Sequence, residues 1–142
     1  MRNVILCVVL LMVVVLGGCA SGLNSMQKRE YAAFKQDGVL IEEKKPGTAF
    51  ALGFAPGCGS FYVREPGYGV LNLLLWPLSI CWDPISGVNG AQSINYDATK
   101  HYLKREQEKE MEALDDKLQL GEINNTRYVT EKRKITQKYS YD

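Results

Sequence analysis

The sequence lacks the residues that most catalytic and metal-binding sites require. His101 is the only histidine, and no CxxC pair, HExxH motif or phosphate-binding loop is present. The segment Gly57-Cys58-Gly59-Ser60 does not have the GxSxG spacing of a nucleophile turn. A lone histidine within a charged helix is ordinarily a surface residue. We therefore expect a protein that is not an enzyme and that holds no metal and no dissociable cofactor.

An excess of charge of one sign is also absent. Seventeen Lys and Arg are balanced by sixteen Asp and Glu, so nothing in the composition indicates nucleic-acid binding. The charges are unevenly distributed, because residues 50–99 contain only Arg64, Glu65, Asp83 and Asp97. An almost uncharged middle is thus flanked by two charged ends.

The N-terminal apolar run is too short to span a bilayer as a helix. Residues 4–16 form thirteen consecutive apolar positions, whereas a transmembrane helix needs about 20. Arg2 is the only charged residue of residues 1–18. A basic start followed by a short apolar run is typical of a signal peptide, which we assign to residues 1–18. An uncleaved N-terminal anchor is the alternative.

The segment Leu16-Gly17-Gly18-Cys19 resembles the bacterial lipobox. The resemblance implies cleavage between Gly18 and Cys19, a diacylglycerol thioether on Cys19, and a further acyl chain such as palmitate on the new amine. Two or more acyl chains hold a protein stably on a membrane. Ala20 stands where Asp would signal inner-membrane retention in enteric bacteria, so we expect a periplasm-facing lipoprotein of the outer rather than the inner membrane. An ordinary signal peptide is the alternative.

The remaining cysteines form an even pair. Cys7 leaves with the signal peptide and Cys19 is acylated, which leaves Cys58 and Cys81 in an oxidising compartment. They are a candidate disulfide. Two small buried thiols are the alternative.

The pattern of the whole chain predicts a mainly α-helical fold: a signal-peptide helix, a short Gly/Pro-rich apolar hairpin, a long charged helix and a short C-terminal helix. The predicted segments are a signal peptide at 1–18, a lipid-anchored tether at 19–48, an apolar hairpin at 49–90 and a charged helical hairpin at 91–142. Within the tether, residues 26–36 form a short helix, and Asp37-Gly38 is a turn signal.

The apolar hairpin consists of two uncharged segments, 46–63 and 66–82, followed by a Gly-containing loop at 85–90. Each segment yields about 15 helical residues, or about 23 Å, which suits entry into one leaflet better than spanning about 30 Å. Small residues four apart at Ala49, Gly53 and Gly57 favour close helix approach in a membrane. A hairpin buried under the C-terminal helix is the alternative. The candidate membrane- or partner-contact residues are Phe61, Tyr62, Leu74, Trp76 and Trp82.

Residues 49–84 contain a pattern of Gly, aromatic and Leu positions that ends in Trp-Asp: Gly53, Phe54, Pro56, Gly57, Gly59, Phe61, Tyr62, Gly67, Gly69, Leu73, Leu74, Trp82 and Asp83. This pattern resembles the TM2 domain family. The resemblance implies two short hydrophobic helices joined by a Gly-rich turn, and no enzymatic chemistry. The stretch from Leu75 to Pro84 is also similar to uncharacterised small bacterial lipoproteins.

The C-terminal region predicts a helix over 91–119 and a second over 125–138, from the three- and four-residue spacing of apolar positions. Gly121 suits the end of the first helix, and Asn124 suits the N-cap of the second. A pattern of Leu, Gly, Ile, Tyr and Lys positions runs through both helices: Leu114, Leu118, Gly121, Ile123, Tyr128, Lys132 and Ile135. This pattern resembles the SHOCT domain, which implies oligomerisation or partner docking. An ordinary amphipathic hairpin is the alternative.

These features together predict a non-enzymatic, membrane-anchored lipoprotein of the cell envelope with a structural or interaction role. Its expected partners are membrane lipid and either a second copy or an envelope protein. The alternatives are a soluble periplasmic binding module on a lipid tether and a phage-type envelope-modifying lipoprotein.

Overall fold

The computed structural model describes residues 22–141, and this part of the chain is mainly helical, as predicted, with no strand. The predicted signal peptide, the cleavage site after Gly18 and the acylated Cys19 lie outside the described residues. The helices are α1 (Ser25–Gln36), α2 (Pro46–Leu52), α3 (Cys58–Tyr62), α4 (Pro66–Leu74), a 3-10 helix (Leu78–Cys81), α5 (Asp83–Gln119) and α6 (Asn125–Lys138).

The chain forms two compact units, and each has its own core. The described part of unit 1 is residues 22–25 and 42–95, and that of unit 2 is residues 26–41 and 96–141. The predicted tether is therefore divided, because its helix α1 belongs to unit 2.

Unit 1 contains three short helices where the sequence predicts two longer arms. Helix α2 begins at Pro46, whose missing N–H costs nothing at a first helical position. A turn then separates α2 from α3, and Gly57 in that turn has φ +68°, a conformation that glycine adopts without strain. Neighbouring helices α2 and α3, and α3 and α4, pack on each other. The apolar part of the core is small and centres on Ala49, Val63 and Ala91.

Helix α5 begins at Asp83, so the loop predicted at 85–90 is wrong. The glycines that suggested a loop have a packing role instead. A Cβ at Gly87 would lie 3.0 Å from the Ala49 carbonyl oxygen, and one at Gly90 would lie 2.8 Å from a Val63 methyl. Glycine at these positions lets α5 approach its neighbours closely, at the cost of helix propensity.

Unit 2 is centred on the buried ring of Phe34 from α1. That ring stacks on Tyr96 at 5.9 Å and meets Tyr141 edge-on at 4.8 Å between centroids. The turn predicted at Asp37-Gly38 is confirmed, with Gly38 at φ +70°.

The connection between α5 and α6 follows the sequence prediction. Gly121 follows the end of α5 with φ +72°. The Asn124 side chain caps α6 by accepting a hydrogen bond from the Arg127 backbone N–H at 2.9 Å. The predicted bounds of the final helix and its cap are therefore confirmed.

Candidate functional site: a polar core beneath an apolar surface

The centre of unit 1 is a hydrogen-bonded cluster of polar side chains. Oδ1 of Asp83 accepts hydrogen bonds from the Ser60 hydroxyl at 2.6 Å and from the Asn72 amide at 2.7 Å. The Asn72 amide also donates to the Ser60 oxygen at 2.9 Å, and its carbonyl accepts from the Trp82 indole N–H at 2.9 Å. Ser60, Asn72 and Asp83 are at most 1 % exposed. We call these four residues the polar cluster.

The polar cluster satisfies most, but not all, of its hydrogen-bonding groups. Oδ2 of Asp83 is buried without a partner. A Cβ at Gly59 would lie 3.1 Å from this oxygen, so the backbone packs closely around it. Asp83 is also the first residue of α5, where the positive end of the helix dipole stabilises a carboxylate.

Glycines surround the polar cluster and let the backbones of unit 1 approach each other. A Cβ at Gly53 would lie 2.3 Å from the Pro84 Cα, and one at Gly57 would lie 2.2 Å from the Gly69 carbonyl oxygen. Even an alanine methyl would not fit at either position without movement of the backbone. Two of the small residues singled out by their four-residue spacing, Gly53 and Gly57, thus do permit close approach.

The surface of unit 1 carries many large apolar side chains, whereas polar side chains occupy its centre. No leucine of residues 49–90 is buried. Scattered apolar residues are normal on protein surfaces, and a concentration of large ones on one small unit makes a candidate contact surface. We call this set the apolar surface. Its members are between 44 % and 75 % exposed: Phe50, Phe54, Phe61, Val70, Leu73, Leu74, Trp76, Leu78 and Ile85.

The five predicted contact residues divide into two groups. Phe61, Leu74 and Trp76 are 44 %, 75 % and 53 % exposed and belong to the apolar surface. Tyr62 and Trp82 are half-buried, and their polar atoms are used within unit 1.

Sequence reasoning missed the other six members of the apolar surface and did not single out Ser60, Asn72 or Asp83 as a group. The available signal was an isolated acidic residue, Asp83, within an otherwise uncharged stretch.

Four charged residues of unit 1 lie together at one edge. Arg64 forms an ion pair with Glu43. The Lys45 backbone N–H donates to the Tyr62 hydroxyl at 3.0 Å, and the Lys44 ammonium lies 4.5 Å from the centre of the Tyr62 ring. We call Glu43, Lys44, Lys45 and Arg64 the charged edge.

The charged edge is hydrogen-bonded to Asn95, the last residue of α5 that belongs to unit 1. The Lys44 backbone N–H donates to Oδ1 of Asn95 at 2.8 Å. The Asn95 amide returns a hydrogen bond to the Lys44 carbonyl at 2.7 Å.

Unit 2 contains a separate buried acid, Glu30. Its carboxylate accepts hydrogen bonds from the Tyr96 hydroxyl at 2.7 Å and from the Lys100 ammonium at 2.9 Å. Burial raises the pKa of Glu30, but the hydrogen bonds of Tyr96 and Lys100 outweigh it, so the pKa lies below its ordinary value. Burial and the bond to Glu30 raise the pKa of Tyr96 to about 12.

The remaining chemically reactive residues are dispersed. Cys58 is half-buried and Cys81 is exposed, and both are free thiols, so their disulfide stays a prediction. His101 is exposed on α5. Over residues 22–141, no group of three or more His, Cys, Asp and Glu side chains is placed to hold a metal ion. No helix within this range combines the length and the apolarity needed to cross a membrane.

Comparison with known proteins gave no matching family model, no similar curated protein and no similar solved structure. The likenesses to the lipobox, the TM2 family and the SHOCT domain therefore rest on the sequence motifs alone.

Proposed function

We propose that this chain is a non-enzymatic lipoprotein of the bacterial cell envelope, anchored through acylated Cys19 and facing the periplasm. The observation that carries the proposal is the apolar surface of unit 1. Gly22, three residues after Cys19, packs against the Asn89 side chain, where a Cβ would lie 3.2 Å from the amide carbon. Three residues span about 10 Å at most, so a lipid anchor at Cys19 would hold unit 1 close to the membrane. The outer membrane is the favoured location, because Ala20 follows the cysteine.

A structural or interaction role accords with the burial of the polar cluster. Ser60, Asn72 and Asp83 are closed off from solvent, so the most concentrated polar chemistry of unit 1 is out of reach of a substrate. Helix α6 of unit 2 has no buried residue. Its side chains are available to an envelope protein or to a second copy, as the SHOCT-like motif implies.

The test is metabolic labelling with radioactive palmitate, followed by separation of inner and outer membranes. Wild-type protein should incorporate palmitate and sediment with the outer membrane, because acylated Cys19 inserts into its leaflet. The Cys19→Ser variant should incorporate none and should remain at precursor size.

Cys81→Ser is the matched control, because it removes an exposed thiol of the described chain and leaves the lipobox intact. It should label and fractionate as wild type does. Wild-type protein without palmitate, or outside the membrane fractions, would refute the proposed function.

A further inference from the structure

We propose that unit 1 is inserted into a single leaflet, with the charged edge at the lipid headgroups and the segment Leu74–Leu78 pointing toward the bilayer centre. This inference rests on the proposed function, since the lipid anchor places unit 1 at the membrane. It goes beyond that function because it states how deeply unit 1 enters the leaflet and which end of the unit points toward the bilayer centre.

The first step is that unit 1 has two chemically different ends. Asn72, near the end of α4, bonds to Asp83 at the start of α5. At the other end, Asn95 of α5 bonds to Lys44 of the charged edge. The twelve residues from Asp83 to Asn95 rise about 18 Å in a helix.

The second step is the match between this length and a leaflet. The hydrocarbon core of a bilayer is about 30 Å thick, so one leaflet contributes about 15 Å. Helix α4 begins just after Arg64 of the charged edge and ends at Leu74, about 12 Å further along. The exposed side chains of Leu74, Trp76 and Leu78 therefore lie at the end of unit 1 opposite the charged edge, and Asp83 at that end is buried.

The third step is the inverted polarity of unit 1. In water, burying Asn72 and Asp83 while exposing Leu74 and Trp76 lowers the hydrophobic stabilisation of the fold, which grows with the apolar area buried. In lipid, helices gain no hydrophobic driving force from each other, and packing of small residues with interhelical hydrogen bonds holds them together. The glycine contacts and the polar cluster of unit 1 are of this kind.

The fourth step is the position of the anchor. Gly22 contacts Asn89, which lies halfway between Asp83 and Asn95 on α5. The chain from Gly22 to Cys19 is long enough to cover the six residues, or about 9 Å, from Asn89 to the level of Asn95. The acylated cysteine can therefore sit at headgroup level while unit 1 occupies the leaflet.

The experiment measures the depth of single nitroxide labels on the lipidated full-length protein in vesicles of phosphatidylethanolamine and phosphatidylglycerol. Labels are placed by Leu74→Cys, Val70→Cys and Leu120→Cys in a Cys58→Ala/Cys81→Ala background. Leu74 and Leu120 are a matched pair, because they are 75 % and 74 % exposed in units 1 and 2. Collisions with oxygen report the lipid phase, and collisions with a water-soluble nickel complex report the aqueous phase.

We expect the label at 74 to collide with oxygen and to be protected from nickel, and the label at 120 to show the reverse. The label at 70 should lie up to about 6 Å shallower than the label at 74, because one turn of α4 separates them. Equal nickel accessibility at 74 and 120 overturns the inference. Protection of position 74 from both reagents shows a protein cover and overturns it as well.

A second measurement does not depend on the anchor. The mature chain with Cys19→Ser is mixed with the same vesicles, and Leu74→Lys is compared with Leu120→Lys. A lysine in the hydrocarbon core should weaken vesicle partitioning about 100-fold at 74 and leave it unchanged at 120. Equal partitioning of the two variants contradicts the inference even if Cys19 is acylated. If the wild-type chain lacks palmitate but Leu74→Lys still weakens vesicle partitioning, the proposed lipid anchor is refuted and the insertion of unit 1 is supported.

Discussion

The Asn72 amide donates a 2.7 Å hydrogen bond to Oδ1 of Asp83 inside unit 1, while Oδ2 of the same carboxyl has no partner. Because only one carboxyl oxygen accepts hydrogen bonds, we expect Asp83→Asn and Asp83→Ala to lower the free energy of unfolding by different amounts. Asp83→Asn keeps the accepting oxygen and should destabilise unit 1 by no more than about 1 kcal/mol, mainly through the lost helix-dipole interaction. Asp83→Ala leaves the Ser60 hydroxyl and one N–H of the Asn72 amide without an acceptor and should cost about 2–4 kcal/mol.

Denaturant unfolding followed by tryptophan fluorescence measures this difference, because both tryptophans of the chain, Trp76 and Trp82, lie in unit 1. Trp82→Phe removes a single hydrogen bond of the polar cluster and should cost about 1 kcal/mol, which places it between the two. If Asp83→Asn is as damaging as Asp83→Ala, the unpartnered oxygen has a role that the hydrogen bonds do not reveal.

Replacing glycine by alanine should have opposite effects on stability at two positions of unit 1, Gly53 and Gly67. Gly53→Ala places a methyl 2.3 Å from the Pro84 backbone and should unfold or rearrange unit 1, at a cost above about 3 kcal/mol. Gly67→Ala meets nothing within 4 Å in the first turn of α4 and should stabilise the fold by up to about 1 kcal/mol. Tryptophan-monitored unfolding separates the two variants. A neutral Gly53→Ala would show that α2 and α5 are not in close contact.

The sequence predicts the elements that are encoded locally. The cap at Asn124 and the glycine stop at Gly121 are short-range signals, and both are found where predicted. It does not predict the start of α5 at Asp83, because Gly87 and Gly90 serve packing contacts with residues far along the chain. A glycine that marks a loop and one that accommodates a neighbouring backbone look the same in a single sequence.

The sequence predicts that unit 1 has an apolar surface, because residues 50–99 contain few charges. It does not predict which of the apolar side chains are exposed and which are buried. Trp82 was expected to contact membrane or partner, but its indole N–H donates to Asn72, a residue ten positions earlier on α4. Which apolar side chains face outward is set by tertiary hydrogen bonds of this kind, which periodicity over five- to nine-residue helices does not reveal.

Arg64 offers a test of backbone strain at the end of α3. It has φ +64°, a left-handed conformation that a residue with a Cβ adopts at some cost. Arg64→Gly and Arg64→Ala both remove the exposed ion pair with Glu43, so the difference between them isolates the backbone. We expect Arg64→Gly to be more stable than Arg64→Ala by about 1 kcal/mol in the same unfolding assay. Equal stabilities would mean that the turn after α3 is not left-handed.

The buried Glu30 of unit 2 makes the stability of that unit depend on pH. The folded pKa of Glu30 lies below its ordinary value of 4.5, so its contribution is complete above about 4.5 and is lost as the pH falls through the lowered pKa. Tyr96 acts at the alkaline end. Its pKa is raised from 10.0 to about 12, so its contribution is complete below 10.0 and is lost as the pH rises toward 12.

Glu30→Gln removes the acid dependence and reduces the alkaline one, because it replaces the carboxylate that binds Tyr96 and Lys100 but leaves Tyr96 buried. We expect it to lower the stability of unit 2 by about 2 kcal/mol near neutral pH, to flatten the acid limb of the stability profile and to make the alkaline limb shallower. Thermal unfolding monitored by far-UV circular dichroism measures both effects. Glu131→Gln, which breaks an exposed pair with Lys134, is the control and should leave the profile unchanged. An acid limb that persists in Glu30→Gln would assign the pH dependence to other carboxyl groups.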